Sequence, residues 1–155
     1  MKVHQIMRSE PRTCGPDDSA AHAGRLMREV GCGWLPVVRG ARPVGVITDR
    51  DLCLAMADGD RRPSELSVRE AMTSTVYGCK ADDDVREALD VMREHRVRRL
   101  PVLDDNHKLT GILSVDDVLL AARPPAEPGF TGPFYSDVAT ALHAIVEHPA
   151  PPVVA

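Results

Sequence analysis

The sequence predicts a mixed α/β (α+β) fold made of two tandem β-α-β-β-α repeats and a proline-rich C-terminal extension. The first observation behind this prediction is an internal repeat that spans most of the chain. The second is that helical and extended hydrophobic spacings alternate in the same order in both copies. The third is size, because 155 residues with 43% hydrophobic and 27% charged side chains can form a packed core without disulfides or metals.

The internal repeat becomes visible when the sequence is aligned with itself at a shift of 65 or 66 positions. At a shift of 65 positions the aligned residues keep both type and order: Met7 with Met72, Cys14 with Cys79, and Leu35-Pro36-Val37 with Leu100-Pro101-Val102. After one inserted residue the shift becomes 66 and aligns Gly45-Val46-Ile47-Thr48 with Gly111-Ile112-Leu113-Ser114. We therefore predict repeat 1 over residues 1–62, repeat 2 over 63–123 and a tail over 124–155.

Each repeat contains the same series of predicted elements. A short extended stretch, around 12–14 or 76–79, leads into acidic and hydroxyl N-cap candidates at 17–19 and 82–84, followed by apolar residues at helical spacing. Two strands then form a hairpin, predicted at 35–38 with 44–47 and at 100–103 with 109–113. A second helix begins near Asp49 and near Val115. We expect a small three-stranded sheet in each repeat, with helices on one face.

The tail differs from the repeats in composition. Residues 124–155 hold seven of the 13 prolines, which favour extended or irregular backbone. Between the prolines, Val138, Leu142, Ile145 and Val146 have the spacing of one helix face. Because the tail also holds Phe130, Phe134 and Tyr135, we expect part of it to dock on the protein or on a second subunit. The alternative is a disordered tail with a transient helix.

Composition and charge argue against several function classes. Nineteen Lys and Arg against 23 Asp and Glu give a formal net charge of −4, whereas nucleic-acid-binding proteins carry a basic excess. No run approaches the ~18 consecutive apolar residues of a membrane span, and the first twenty residues contain no signal-peptide run. The four cysteines form no C-x-x-C pair, so we predict no metal site. We expect a cytoplasmic protein that binds neither nucleic acid nor membrane.

A hydroxyl residue followed three positions later by an aspartate marks the start of the second helix in both repeats. These pairs are Thr48 with Asp51 and Ser114 with Asp117. A helix N-terminus attracts phosphate, and a carboxylate can accept hydrogen bonds from the two vicinal hydroxyls of a ribose. The alternative is that both pairs are simple helix caps. Their recurrence in two copies favours at least one nucleotide site.

The two repeats differ in charge before the Leu-Pro-Val strand. Repeat 2 carries Arg98 and Arg99, and the planar guanidinium of arginine suits phosphate. The alternative is a solvated, basic helix end. Repeat 1 has Trp34 in place of Arg99, which could stack on a base or cover the core. Asp49 and Asp116, beside the two motifs, would repel a polyphosphate unless Arg50 or a metal neutralised them, which favours a monophosphate or a nucleoside.

The tandem motif Leu100-Pro101-Val102, turn, Gly111-Ile112-Leu113-Ser114-Val115-Asp116-Asp117 resembles the CBS domain pair, also called a Bateman module. The resemblance covers about residues 1–122. It implies a pseudo-twofold disc with clefts between the two repeats that bind AMP, ADP, ATP or S-adenosylmethionine, AMP being the first candidate. It also implies a sensor that needs no cofactor, forms a homodimer through its helices, and regulates a partner protein.

The same resemblance places an adenine between the early strand and the Leu-Pro-Val strand. The flanking residues would be Cys14, Pro36 and Val37 in repeat 1, and Cys79, Pro101 and Val102 in repeat 2. Their apolar character is equally what a buried strand needs. With the residues above, the predicted ligand site contains Thr48, Asp51, Ser114, Asp117, Arg98, Arg99, Cys14, Pro36, Val37, Cys79, Pro101 and Val102.

Two other function classes compete with a nucleotide sensor. An enzyme is disfavoured because the sequence contains no G-x-S-x-G, Walker or H-E-x-x-H motif, so we predict no catalytic residues. A protein–protein interaction module with empty clefts would share the fold. Saturable nucleotide binding distinguishes that module from a sensor.

Overall fold

The chain folds as helices and strands in nearly the order that the sequence predicts. The computed structural model describes residues 1–125 and 129–147, so the end of the predicted tail, 148–155, lies outside the described residues. The strands are β1 Arg8–Ser9, β2 Trp34–Arg39, β3 Arg42–Thr48, β4 Cys79–Lys80, β5 Arg99–Leu103 and β6 Leu109–Ser114. The helices are α1 Ala20–Val30, α2 Asp49–Gly59, α3 Val68–Ala71, α4 Val85–His95, α5 Val115–Ala121 and α6 Tyr135–Val146, and a 3-10 turn covers Val3–Gln5.

The first helix of each repeat begins where the N-cap candidates predict. At α1, the Ser19 hydroxyl accepts a hydrogen bond from the His22 backbone N–H at 3.2 Å. At α4, the Asp84 carboxylate accepts from the Arg86 N–H at 2.9 Å. These side chains satisfy N–H groups that have no partner inside the helix. Both helices then bury their apolar faces: Ala20, Ala23 and Met27 in α1, and Val85, Ala88, Leu89 and Met92 in α4.

The described chain forms two compact units that do not follow the order of the repeats. One holds Met1–Ser9, Tyr77–Val102 and the described residues from Gly111 onward, and we call it the repeat-2 unit. The other, the repeat-1 unit, holds Glu10–Val76 and Leu103–Thr110. The N-terminal segment of each repeat, 1–9 in repeat 1 and 63–76 in repeat 2, therefore belongs to the unit of the other repeat.

The repeat-2 unit contains a four-stranded sheet in the order β1-β6-β5-β4. Strand β1 runs antiparallel to β6, with Arg8 opposite Ile112 and Ser9 opposite Gly111. The expectation of three strands was wrong by one strand. The extra strand comes from the N-terminal segment of repeat 1, and the hydrophobic pattern inside repeat 2 carries no information about it.

The repeat-1 unit has the same arrangement in a shorter form. Strands β2 and β3 form an antiparallel hairpin. Cys14 makes a parallel bridge with Val37 of β2, and Thr73 makes an antiparallel bridge with Val46 of β3. The extended stretch expected around residues 12–14 is therefore a single bridged residue. Thr73 takes the outer position that β1 takes in the repeat-2 unit.

Two glycines allow these outer segments to approach. A Cβ added to Gly45 would lie 2.8 Å from the Thr73 carbonyl oxygen, and one added to Gly111 would lie 2.9 Å from the Arg8 carbonyl oxygen. Both distances are too short for a carbon beside a backbone oxygen. Glycine is needed at both positions because the neighbouring backbone occupies the space of a side chain.

The C-terminal helix α6 docks on the repeat-2 unit. It packs against α4 and α5 and buries Val138 and Ile145 in the core of that unit. Arg86 of α4 contacts the start of α6. Its Nε lies 3.2 Å from Asp137 Oδ2, and its guanidinium carbon lies 5.2 Å from the centroid of the Phe134 ring. The expected docking of part of the tail on the protein is confirmed for α6.

Candidate functional site

In the repeat-1 unit, Thr48 and Asp51 form the N-terminal cap of α2. The Thr48 Oγ accepts a hydrogen bond from the Asp51 N–H at 3.1 Å and donates one to Asp51 Oδ2 at 2.7 Å. The Thr48 N–H also donates to Oδ2, at 2.9 Å. This reciprocal arrangement is a capping box. The other carboxylate oxygen, Asp51 Oδ1, has no hydrogen-bond partner among the described residues, and we call it the open oxygen.

In the repeat-2 unit, Ser114 and Asp117 cap α5 in the same way. The Ser114 Oγ accepts from the Asp117 N–H at 3.1 Å and donates to Asp117 Oδ2 at 2.5 Å, and the Ser114 N–H donates to Oδ2 at 2.9 Å. Both residues are more buried than their repeat-1 counterparts, with Ser114 5% and Asp117 8% exposed. The two motifs therefore share one local geometry in different surroundings.

The difference lies at the second carboxylate oxygen of Asp117. The Arg8 Nε donates a hydrogen bond to Asp117 Oδ1 at 3.0 Å, which makes a salt bridge across 109 positions of sequence. The Arg8 side chain is 72% exposed and the Asp117 side chain 8%. Both oxygens of Asp117 thus have partners within the protein, whereas Asp51 keeps one oxygen open.

Arg8 and its counterpart in the other repeat were not predicted as site residues. The shift that aligns Met7 with Met72 also aligns Arg8 with Thr73. The structure preserves this correspondence, because Arg8 lies opposite Ile112 and the Thr73 N–H donates to the Val46 carbonyl at 2.9 Å. The alignment of Arg8 with Thr73 was visible in the repeat. It could not be related to the site, because each of these residues pairs with a strand of the other repeat.

The six apolar residues expected around an adenine lie in the sheets. The Cys14 N–H donates to the Pro36 carbonyl at 3.2 Å, and the Cys14 carbonyl accepts from the Val38 N–H at 2.9 Å. In the repeat-2 unit, β4 neighbours β5 in the same manner. All six are buried: Cys14, Pro36, Val37, Cys79, Pro101 and Val102. Their burial does not distinguish an adenine site from an ordinary buried strand, since both require apolar residues.

The two buried cysteines have thiols of low reactivity. Burial raises the pKa of the Cys14 thiol to about 11 and that of the Cys79 thiol to about 12, and the nearby charges of Asp18 and Asp83 add to the rise. Because the thiolate is the reactive form, both side chains stay protonated at neutral pH. They act there as small apolar groups.

The positions before β2 and β5 differ in charge, as the sequence indicates. Arg98 is exposed and Arg99 half-buried, and neither guanidinium has a hydrogen bond or ion pair to the described part of the chain. Trp34, the counterpart of Arg99, is buried, with 8% of its surface exposed. The Asp49 carboxylate lies directly over Gly33, the counterpart of Arg98. Repeat 1 therefore presents a carboxylate where repeat 2 presents an arginine.

The described residues offer neither a candidate metal site nor a candidate membrane-spanning helix. Residues 1–125 and 129–147 contain no group of three or more His, Cys, Asp or Glu side chains placed to hold a metal ion. Over the same residues, no helix combines the length and the apolar character that a membrane crossing requires.

Comparison with known proteins identifies the repeats. The family model described as "CBS domain" matches residues 3–58 and 68–123. An uncharacterised protein of Methanopyrus kandleri is 34% identical over 120 residues, and the match covers 77% of this chain and 61% of that relative's length. Hypoxic response protein 1 of Mycobacterium tuberculosis is 32% identical over 117 residues, which cover 75% of this chain and 81% of that protein.

Solved structures agree with this match. The crystal structure of Hypoxic Response Protein I with two coordinated zinc ions has a TM-score of 0.72 and 29% identity, over 79% of this chain and 100% of that chain. The crystal structure of CBSX2 in complex with AMP has a TM-score of 0.68 and 26% identity, over 77% of this chain and 94% of that chain. The family model covers both repeats and more than half of the sequence. This chain therefore belongs to the CBS-domain family and carries two tandem CBS domains.

Proposed function

We propose that the chain is a regulatory module that binds an adenosine-type ligand at its Thr48–Asp51 and Ser114–Asp117 motifs. AMP is the first candidate, ahead of ADP, ATP and S-adenosylmethionine. The proposed site has the residues predicted from the sequence: Thr48, Asp51, Ser114, Asp117, Arg98, Arg99, Cys14, Pro36, Val37, Cys79, Pro101 and Val102. In this proposal the aspartates bind the ribose, the arginines the phosphate, and the apolar residues the adenine.

The open oxygen of Asp51 carries the proposal. Asp51 Oδ2 already accepts two hydrogen bonds from Thr48, whereas Oδ1 has none from the described residues. A carboxylate oxygen can accept two hydrogen bonds, one for each lone pair. Oδ1 therefore matches the two vicinal hydroxyls of a ribose without any rearrangement of the α2 cap.

Two further observations support an adenosine monophosphate. CBSX2, which shares the fold and 26% identity, was crystallised with AMP. In the repeat-1 unit, the Asp49 carboxylate lies beside the start of α2, over Gly33. A chain of several phosphates would meet this negative charge at close range, whereas a single phosphate carries less charge to repel.

We also propose that the module acts through association, as a homodimer or with a partner protein that it regulates. The family match covers the CBS domains alone, and we propose no catalytic role for them. A cytoplasmic location stays a prediction from the sequence. Light scattering at high micromolar concentration measures the mass, and a monomer under those conditions would contradict the homodimer.

Calorimetric titration with AMP, ADP, ATP and S-adenosylmethionine at fixed salt tests the ligand assignment. We expect saturable binding of AMP. Asp51→Ala and Asp117→Ala should each weaken binding at their own site about 10- to 150-fold, the equivalent of a charge-assisted hydrogen bond worth about 1.5–3 kcal/mol. The double variant should show no saturable binding.

Asp58→Ala provides the matched control, since it removes an exposed carboxylate of α2 that lies seven positions after Asp51 and is not part of the capping box. Its affinity should stay near that of the parent. Circular dichroism of each variant checks that the helices remain. Absence of heat with every ligand would contradict the proposal and favour an interaction module with empty clefts. Unchanged binding in both single variants would contradict the ribose assignment.

A further inference from the structure

We propose that Arg8 makes the repeat-2 site selective for phosphorylated adenosine ligands, whereas the repeat-1 site also accepts the unphosphorylated nucleoside. This inference rests on the proposed function and assigns a ligand class to each site. Arg8 and Thr73 occupy equivalent backbone positions, opposite Ile112 and Val46. The side chain at that position is therefore one element that distinguishes the two sites.

The acceptor capacity of the two aspartates differs because of Arg8. Asp117 Oδ2 accepts two hydrogen bonds from Ser114, and Oδ1 accepts one from the Arg8 Nε. One lone pair of Asp117 remains, but two vicinal ribose hydroxyls need two. Asp51 still has both lone pairs of Oδ1, because the threonine at position 73 is too short to take the place of an arginine. A ribose at Asp117 must displace Arg8, and a ribose at Asp51 displaces nothing.

Displacement has a cost that an unphosphorylated nucleoside does not compensate. Asp117 is 8% exposed, so its bond to Arg8 lies largely out of water. Adenosine would replace that charged partner with neutral hydroxyls and leave the guanidinium without its carboxylate. The repeat-2 site should therefore bind adenosine weakly.

A phosphate reverses this balance. Arg8 donates to Asp117 through its Nε alone, and the two Nη groups of the same side chain have no partner among the described residues. A guanidinium that keeps free N–H groups and is 72% exposed can turn to a phosphate and form paired, charge-assisted hydrogen bonds. Arg98 is exposed, and its carbonyl accepts a hydrogen bond from the Val115 N–H at the start of α5, so a second cationic residue lies next to the motif in the chain fold.

The repeat-1 unit lacks both cations. Thr73 stands in place of Arg8, and Gly33 stands in place of Arg98. The Asp49 carboxylate over Gly33 adds negative charge instead. A phosphate should therefore contribute little to binding at Asp51, and adenosine and AMP should bind there with similar affinity.

Exchange of the two side chains tests the inference. Asp51→Asn leaves the repeat-2 site to be measured alone, and Asp117→Asn leaves the repeat-1 site, because asparagine keeps an oxygen acceptor for the cap. In the Asp51→Asn background, AMP should bind about 10- to 100-fold more tightly than adenosine. Adding Arg8→Thr should lower that ratio at least about threefold, and Arg98 and Arg99 account for the preference that remains. Arg8→Gln removes the charge but keeps a long side chain in β1, and it should lower the ratio too. In the Asp117→Asn background, Thr73→Arg should raise the ratio.

Arg93→Thr is the matched control, because it removes an exposed arginine of the same unit that pairs with Asp90 on α4. It should leave the AMP-to-adenosine ratio unchanged. If AMP binds but Arg8→Thr and Arg8→Gln preserve the ratio, the role of Arg8 is wrong and the proposed function stands. If adenosine binds the Asp51→Asn protein as tightly as AMP, the selectivity is likewise wrong. If the parent protein binds neither compound, the proposed function and this inference both fail.

Discussion

The repeat-1 and repeat-2 sites share a helix cap and differ in the side chain that meets the carboxylate. Thr48 with Asp51 and Ser114 with Asp117 form the same three hydrogen bonds, within 0.2 Å of each other. Only Asp117 has an arginine on its second oxygen. The repeated motif therefore sets the cap, and the segment that arrives from the other repeat sets the charge around it.

The two units also differ in their outer layer. In the repeat-2 unit, α6 packs on α4 and α5 and joins the core through Val138 and Ile145. The core of the repeat-1 unit is formed without such a helix: Cys14, Ala20, Ala23, Met27, Leu35, Val37, Ile47, Leu52, Leu66 and Val68. Equivalent positions in the two repeats therefore have unequal packing, which gives three comparisons of stability.

Methionine truncation should show the largest difference. Met92 of α4 is 0% exposed in the core that includes α6, and its counterpart Met27 of α1 is 6% exposed. Met92→Ala should lower the free energy of unfolding by about 2–5 kcal/mol, because the site is enclosed and leaves a cavity. Met27→Ala should fall at or below the lower end of that range. Denaturant unfolding of both variants checks this, and equal losses would show that α6 adds nothing to the packing.

The helix ends should show a smaller difference, with opposite signs. Helix α1 ends at Gly31 with φ +64°, and α4 ends at Arg96 with φ +54°. A left-handed backbone costs a residue with a Cβ about 1–2 kcal/mol, whereas glycine adopts it freely. Gly31→Ala should therefore lower, and Arg96→Gly raise, the free energy of unfolding by about 1 kcal/mol. Thermal unfolding measures both, and shifts of the same sign would contradict the argument.

The buried thiols should contribute only at alkaline pH. In the unfolded chain a cysteine loses its proton near pH 9, whereas the folded protein keeps the proton of Cys14 to about pH 11 and that of Cys79 to about pH 12, which are their raised pKa values. Above pH 9 the unfolded state therefore binds fewer protons, and the free energy of unfolding falls as pH rises towards 12. Cys79→Ala should remove more of that slope than Cys14→Ala.

Unfolding at pH 7 supplies the reference for each cysteine variant, because both thiols are protonated there in the folded and unfolded states. The difference from the parent at pH 7 measures lost packing, and only the change of that difference above pH 9 measures titration. Equal slopes for the parent and the Cys79→Ala protein would contradict the predicted contribution of this thiol.

Much of the fold could be predicted from the sequence because its signals are local. The Ser19 and Asp84 caps, and the starts of α2 at Asp49 and of α5 at Val115, were predicted from side chains that bond within three positions. The hairpins follow from short apolar runs joined by polar turns. By contrast, β1 and α3 were not predicted. Helix α3 has four residues, too few to show a period, and β1 is a strand because it pairs with β6, which lies in the other repeat.

The candidate site divides in the same way between local and distant information. The sequence by itself determined the repeat, the β-α-β-β-α order and the pairing of Ser114 with Asp117, since a capping box depends on backbone angles and a spacing of three residues. Only the tertiary structure decided that Arg8 meets Asp117, 109 positions away, and that Thr73 takes the equivalent place in the other unit. Such a contact depends on where the chain returns, and that is set by the packing of the whole sheet rather than by any local spacing.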